Sequence, residues 1–209
     1  MALIITVAQQ KGGAGKTMLA ANLACAWAAA HRVALLDIDP QRSLKRWHAL
    51  RTARGKTAPL TFSDVSGWRL PAEIDRLQQQ ADIILIDTPP VIDQDATRAI
   101  RAASLVLIPV QPSPPDLWAA EGTLQLAAAE RKRVALLLNR AAAKSKLRTL
   151  VENEILGRRL TLLAPALGNR TGYALAFAQG MGVAETAPRT AAGQELFALA
   201  AAVLEAART

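Results

Sequence analysis

Short, mostly apolar runs recur along the chain at 3–7, 33–36, 83–86, 105–110 and 134–138, and each stops at a polar or turn-forming residue. Runs this short, without alternating polar positions, fit strands buried on both faces. Longer amphipathic, alanine-rich stretches lie between them and predict helices near 15–30, 41–54, 70–80, 93–103, 115–130 and 144–156, with two more after Asn169 and Thr190. Repeated strand and helix of this kind predicts the α/β class: a single domain over residues 1–209 with a mainly parallel β-sheet and helices on both faces. Ligands of such sheets bind at the carboxyl ends of the strands. No internal repeat or low-complexity linker interrupts the pattern, and Pro112, Pro114 and Pro115 read as a rigid loop.

Directly after the first run stands Gln10-Lys11-Gly12-Gly13-Ala14-Gly15-Lys16-Thr17. Three glycines in four positions let the backbone turn tightly and aim its N–H groups inward, where side chains would block phosphate oxygens. Lys16 is placed to bridge β- and γ-phosphates, Thr17 to give its hydroxyl oxygen to Mg²⁺, and the following helix to point its positive end at the same ligand. An ordinary glycine turn between strand and helix is the bland alternative, and it leaves the lysine and threonine unexplained. The first glycine of the general phosphate-loop pattern is missing, since Gln10 stands there and a second lysine, Lys11, follows.

That departure resembles the deviant Walker A motif of the ParA/MinD family of P-loop ATPases. The resemblance implies that Lys11 to Met18 contact ATP or ADP, and that Lys11 reaches across a dimer interface to the partner's nucleotide. The run ending Asp37-Ile38-Asp39-Pro40-Gln41 looks like the family's Walker A′ motif, in which Asp39 positions or activates the attacking water and Asp37 sits nearer the metal and phosphates. Helix capping ahead of Arg42 to Leu50 is the alternative for one of these acids and does not explain both on a strand end. Ile83-Ile84-Leu85-Ile86-Asp87-Thr88-Pro89-Pro90 has the form of a Walker B strand, so Asp87 joins Thr17 and Asp37 as a magnesium residue, and Thr88 to Pro90 read as a γ-phosphate switch.

Further along, Val110-Gln111-Pro112-Ser113-Pro114-Pro115-Asp116-Leu117-Trp118-Ala119 also resembles the shorter ParA-like proteins. Asn139 ends the last of the clear strands at a position where the family contacts adenine, and its amide can donate and accept at a base edge. A turn-forming Asn after a strand is the competing account. The stretch 163–165, ending in Pro165, resembles backbone that flanks the base.

The 209 residues are half hydrophobic, enough for one compact core, and the single thiol, Cys25, fits core packing rather than a disulfide or metal cluster. A cytoplasmic setting is expected. The formal net charge of +8 bears on partners rather than on fold. Without base-reading elements, salt-sensitive contact with DNA phosphates is the expected mode. Arg140, Lys144, Lys146, Arg158, Arg170 and Arg189 are the candidates, each with a plain solvated role as its alternative.

The chain enters its first strand at once, which resembles the short ParA-like type lacking an N-terminal helix-turn-helix domain. A membrane anchor is not expected at the carboxyl end, because residues 191–209 hold Arg208 as their only cation beside Glu195 and Glu205. The resemblance therefore implies a cytoplasmic, nucleoid-associated, Mg²⁺-dependent ATPase. It would form an ATP-sandwiched homodimer, bind DNA without sequence preference and position a cargo through an adaptor or ParB-like activator. A MinD-like membrane regulator and a metabolic phosphate-loop enzyme are the competing readings.

Overall fold

The computed structural model describes residues 2–209. Among them one sheet contains seven strands: β1 (Leu3–Val7), β2 (Val33–Asp37), β3 (Thr61–Ser63), β4 (Ile83–Asp87), β5 (Leu105–Val110), β6 (Val134–Leu138) and β7 (Leu162–Leu163). Their order is β3-β2-β4-β1-β5-β6-β7, and every pairing is parallel. The chain thus winds one way from β1 toward β3 and the other way from β5 toward β7. The strand order reverses beside β1, where a crevice opens at the carboxyl ends of an open parallel sheet.

The helices are α1 (Lys16–Trp27), α2 (Ser43–Arg54), α3 (Leu70–Gln78), α4 (Gln94–Ala102), α5 (Pro114–Trp118), α6 (Glu121–Ala129), α7 (Lys146–Gly157), α8 (Thr171–Ala178), α9 (Val183–Thr186) and α10 (Ala191–Arg208). Alternate strand residues serve opposite faces, as a pleated sheet requires. Ile5, Leu35, Leu85, Leu107 and Leu137 face α1, α2 and the α8–α10 group, meeting Leu23, Trp47, Tyr173, Val183 and Leu199. Ile4, Leu36, Ile84 and Ile86 face α3 and α4, while Val106, Ile108, Leu136 and Leu138 face α5 to α7. Both faces are covered, so the central strands can be apolar throughout.

Several boundaries differ from the sequence expectation. The helix expected over 115–130 is two helices, because the N–H of Ala120 bonds the carbonyl of Leu117, a tightened turn that redirects the chain. Ser113 starts α5 by accepting a hydrogen bond from the N–H of Asp116. Helix α2 begins only at Ser43, since Arg42 adopts a left-handed backbone with φ 54°. The segment after Asn169 forms both α8 and α9, separated by a turn at Gly180 with φ +69°. There an added Cβ would lie 2.3 Å from the backbone nitrogen of Arg51. The strands β3 and β7 have no counterpart in the sequence reading.

The last helix packs on the domain, as expected: Leu196, Leu199, Val203 and Ala207 are buried in the same core as α1. Among the described residues no helix is long and apolar enough to cross a membrane.

Beneath α1 lies a buried ion pair. The Arg51 guanidinium donates to both carboxylate oxygens of Glu185 at 2.9 and 2.7 Å, and also to the carbonyl of Ala58. Only 3% of the Arg51 side chain is accessible, so the guanidinium has no water to replace a lost partner. Glu185 also accepts from the N–H of Gly182, tying the start of α9 to α2. Removing one member of such a pair leaves an uncompensated charge. Glu185→Ala is expected to cost about 3 kcal/mol in urea unfolding followed by tryptophan fluorescence; a loss below about 1 kcal/mol would show that water reaches Arg51.

Candidate nucleotide-binding site

The loop between β1 and α1 sits at the reversal point, and its backbone is what the glycines permit. Gly13 and Gly15 have φ values of +81° and +92°, a region other residues enter only with strain. At Gly15 a Cβ would also stand 2.4 Å from Nδ2 of Asn139. The amide of Gln111, just past β5, donates to the carbonyl of Gly13 at 3.0 Å. Neighbouring strand ends therefore hold the loop.

A cleft of about 380 Å³ opens against this loop, lined by Gly12, Gly13, Gly15, Lys16, Thr17, Met18, Asp39, Pro90 and Arg140 among others. The structure thus gathers the two halves of the expected chemistry, the phosphate loop and Asp39, at one surface. The Lys16 ammonium folds back to donate to the carbonyl of Gln9 at 3.0 Å. Burial depresses its pKa, and the charges of Asp87 and Asp39 oppose that shift.

Sheet register sets the acids. Asp37 and Asp87 are paired neighbours on β2 and β4, and Asp87 also pairs with Val7 at the end of β1. Asp87 is fully buried, and neither carboxylate oxygen makes a well-formed hydrogen bond. Its pKa is pushed up to about 8, chiefly by desolvation, while the Thr17 hydroxyl and Lys16 favour the charged form. A buried, unsatisfied acid beneath a threonine of an anion-binding loop fits a site for a hydrated cation. Among the described residues no three acidic, histidine or cysteine side chains form a complete metal cage. That suits magnesium, which is usually held by one or two protein groups together with water and substrate phosphates.

Asp37 is occupied differently. One of its oxygens accepts from the N–H of Asp39 at 3.1 Å and the other from the N–H of Lys45 at 2.9 Å, so it clamps the entry to α2. Burial raises its pKa against those two hydrogen bonds. Asp39 is partly exposed and steadied by the N–H of Gln41 at 2.9 Å. Thr88 donates its hydroxyl to the carbonyl of Val7 at 3.0 Å, fixing the start of the 88–90 turn.

Asn139 uses its amide N–H on the carbonyl of Ala14 at 2.8 Å, and its side-chain oxygen accepts from the N–H of Arg140 at 3.0 Å. It braces the loop and also borders a cavity of about 270 Å³ formed with Met18, Leu167, Asn169, Arg170 and Tyr173. Pro165 lines a different cavity, against α7 and β7. The wall beside Asn139 is built instead from residues of 167–174, a stretch from which the sequence had offered only Arg170, as a DNA contact.

The six candidate DNA contacts separate by environment. Arg170 is held by Glu195 and Arg158 by Glu121. Arg140 borders both the phosphate cleft and the cavity beside Asn139. Lys144, Lys146 and Arg189 are exposed, and among the described residues they make no ion pair. Lys144 and Lys146 lie after β6, at the sheet edge that carries the cleft. Two residues outside the expected site also touch the loop: Asp116 accepts from Lys11 at 2.6 Å, and Gln9 donates to the Asp116 carbonyl at 3.4 Å.

Residues 5–181 match the family model described as CobQ/CobB/MinD/ParA nucleotide binding domain. Among curated proteins, the chain is 30% identical over 196 residues to the maintenance of carboxysome distribution protein A of Halothiobacillus neapolitanus, covering 90% of this chain and 89% of that one. Among solved structures, an aspartate-to-alanine variant of Cyanothece McdA in complex with ATP superposes with a TM-score of 0.78 at 19% identity, over 98% of this chain and 96% of the other. Cobyrinic acid a,c-diamide synthase from Mycobacterium smegmatis, with bound ATP analogue and magnesium, also gives 0.78, at 18% identity over 98% and 95% of the two chains. At such identities these two structures establish the fold.

Asp87 gives the nucleotide-free protein a pH signature. Its folded pKa of about 8 exceeds the ordinary 3.8, so between them the folded state holds more protons than the unfolded one and stability falls as pH rises. The slope from this group is at most about 1.4 kcal/mol per pH unit. Asp87→Asn should flatten the decline of the urea midpoint between about pH 5 and pH 8 and exceed wild type in stability at the upper end. An unchanged slope in the variant would assign the effect to other groups.

Proposed function

This chain belongs to the CobQ/CobB/MinD/ParA family of nucleotide-binding domains, and from that premise we propose that residues 1–209 act as one ParA-like, Mg²⁺-dependent ATPase. It dimerises around ATP, associates with DNA without sequence preference and positions an intracellular cargo through an activating adaptor. The observation that carries this reading is the meeting of Lys16, Thr17 and Asp39 at one cleft, with the buried Asp87 behind Thr17 and Lys16 and a second lysine, Lys11, in the same loop. The similarity to a protein named for carboxysome distribution supports a protein assembly as the cargo.

In this mechanism Lys16 leaves the Gln9 carbonyl and neutralises the phosphates. The hydroxyl oxygen of Thr17 and the carboxylate of Asp87 would hold magnesium, with Asp37 fixing the neighbouring turn, and the ion would supply charge neutralisation at the phosphates. Asp39 orients the attacking water, and Lys11 acts across the dimer interface. Hydrolysis removes contacts at the 88–90 turn and lets the protomers part. The cavity beside Asn139 takes the adenine.

Lys144, Lys146 and Arg189 are the DNA contacts best supported, being exposed, free of ion pairs among the described residues and, unlike Arg140, away from the phosphate cleft. The adaptor, rather than this chain, carries cargo identity, and the working location is cytoplasmic and nucleoid-associated. A membrane-bound cycle is less favoured, since Leu196, Leu199, Val203 and Ala207 of α10 are spent on the core and only Phe197 of its large apolar residues is exposed.

Two substitutions test the assigned roles. Lys16→Ala should weaken ATP binding at least about tenfold by loss of a charge-assisted contact. Asp39→Ala should retain ATP, lose hydrolysis and remain dimeric on DNA. Equal loss of ATP binding in both would contradict the division of labour. Replacing Lys144 and Lys146 together by alanine should reduce the salt dependence of DNA binding by about two in log–log slope; a slope equal to wild type would remove these lysines from the interface.

A further inference from the structure

Lys11 belongs to the phosphate loop, yet its charge is committed elsewhere. Its ammonium lies 2.6 Å from Oδ2 of Asp116, the residue in α5 that the motif reading left without a role. The lysine side chain is 40% accessible, whereas the aspartate side chain is 5% accessible. The acid is thus the buried member and the lysine the one that can leave.

The rest of the Asp116 environment is spare. The hydroxyl of Ser113 donates to the same Oδ2, and the other oxygen, Oδ1, is buried without a partner. Among the described residues Lys11 is the only cation in an ion pair with this carboxylate. Departure of Lys11 would leave Asp116 as a desolvated charge supported by one hydroxyl. That is an expensive state, because a buried carboxylate stripped of its partner keeps its desolvation penalty and loses the attraction that offset it. The acid also sits on a separate piece of chain. Helix α5 has five residues, begins at Pro114 and Pro115, and is cut off from α6 by the turn at Ala119 and Ala120.

We propose that Asp116 is a latch on Lys11: in the nucleotide-free protomer it holds the lysine in its own subunit and thereby opposes the dimer. The inference rests on the proposed function, in which Lys11 crosses to the partner's nucleotide. Asp116 is a positioning residue, since it acts on the nucleotide only through Lys11. Dimer formation would break a half-buried ion pair in each protomer, so the dissociation constant of the dimer contains that cost twice. ATP binding to a single protomer contains it only if Lys11 turns toward its own loop. Asp116 therefore sets the protein concentration at which two ATP-loaded copies join, and leaves the affinity of one copy for ADP alone.

Asp116→Asn keeps the shape and an acceptor for Ser113 while removing the charge. The dimer dissociation constant should be measured by sedimentation velocity with ATP and magnesium, in the Asp39→Ala background that prevents turnover. The expected result is a dissociation constant lower by about tenfold than in the Asp116 parent, with ADP affinity unchanged. A merely structural role for Asp116 predicts the opposite sign, because a disturbed loop binds nucleotide less well and dimerises less. An unchanged or higher dissociation constant in a folded variant overturns the latch. If the amide variant does not fold, Asp116→Ser carries the same expectation and the same refutation. Failure of the parent itself to dimerise with ATP would instead refute the nucleotide-dependent dimer, so the two ideas fail separately.

Discussion

A fully buried carboxylate whose oxygens make no well-formed hydrogen bond lies behind the glycine-rich loop, and the surrounding structure is arranged so that Asp87 can be there. Parallel pairing places it level with Asp37 and with the last residue of β1, and the helices on both faces exclude solvent from it. Left alone, such a group favours its neutral form. The threonine above it and the lysine beside it belong to the glycine-rich loop, so a ligand of that loop and a cation over Asp87 stabilise each other. Desolvation makes the lone charge costly, and a positive charge placed over it would offset that cost.

The loop itself is held from three sides. Gln111 reaches it from β5, Asn139 from β6 and Asp116 from α5, each bonding a different part of its backbone or its first lysine. Those three residues follow strands on one side of the reversal point, whereas Asp37, Asp39 and Asp87 come from strands at its other side. The nucleotide site is thus a seam between two halves of the sheet, with β1 as the shared member.

Much of this was legible in the sequence because it is local. Glycine spacing, lysine, threonine and strand-terminal acids are all expressed within short runs, and the structure assembles Lys16, Thr17, Asp39 and Asp87 as those runs imply. The strands β3 and β7 were not legible, since three and two residues carry no periodicity to detect. The break between α5 and α6 was hidden because Ala119 and Ala120 are good helix formers, and only the tightened turn at Leu117 betrays it. Likewise the double engagement of Asp37 by backbone N–H groups, and the pairing of Arg158 and Arg170 with distant glutamates, depend on where other elements fall. Sequence could nominate those cations but not tell which were already neutralised.

The outermost strands also govern how copies of the chain can meet. With so few free backbone groups at either margin, the sheet offers no template on which a neighbour's strand could be laid down. Molecules crowded side by side on a shared scaffold are therefore protected from fusing into an extended, irreversible ladder. Any reversible association is left to surfaces other than the margins.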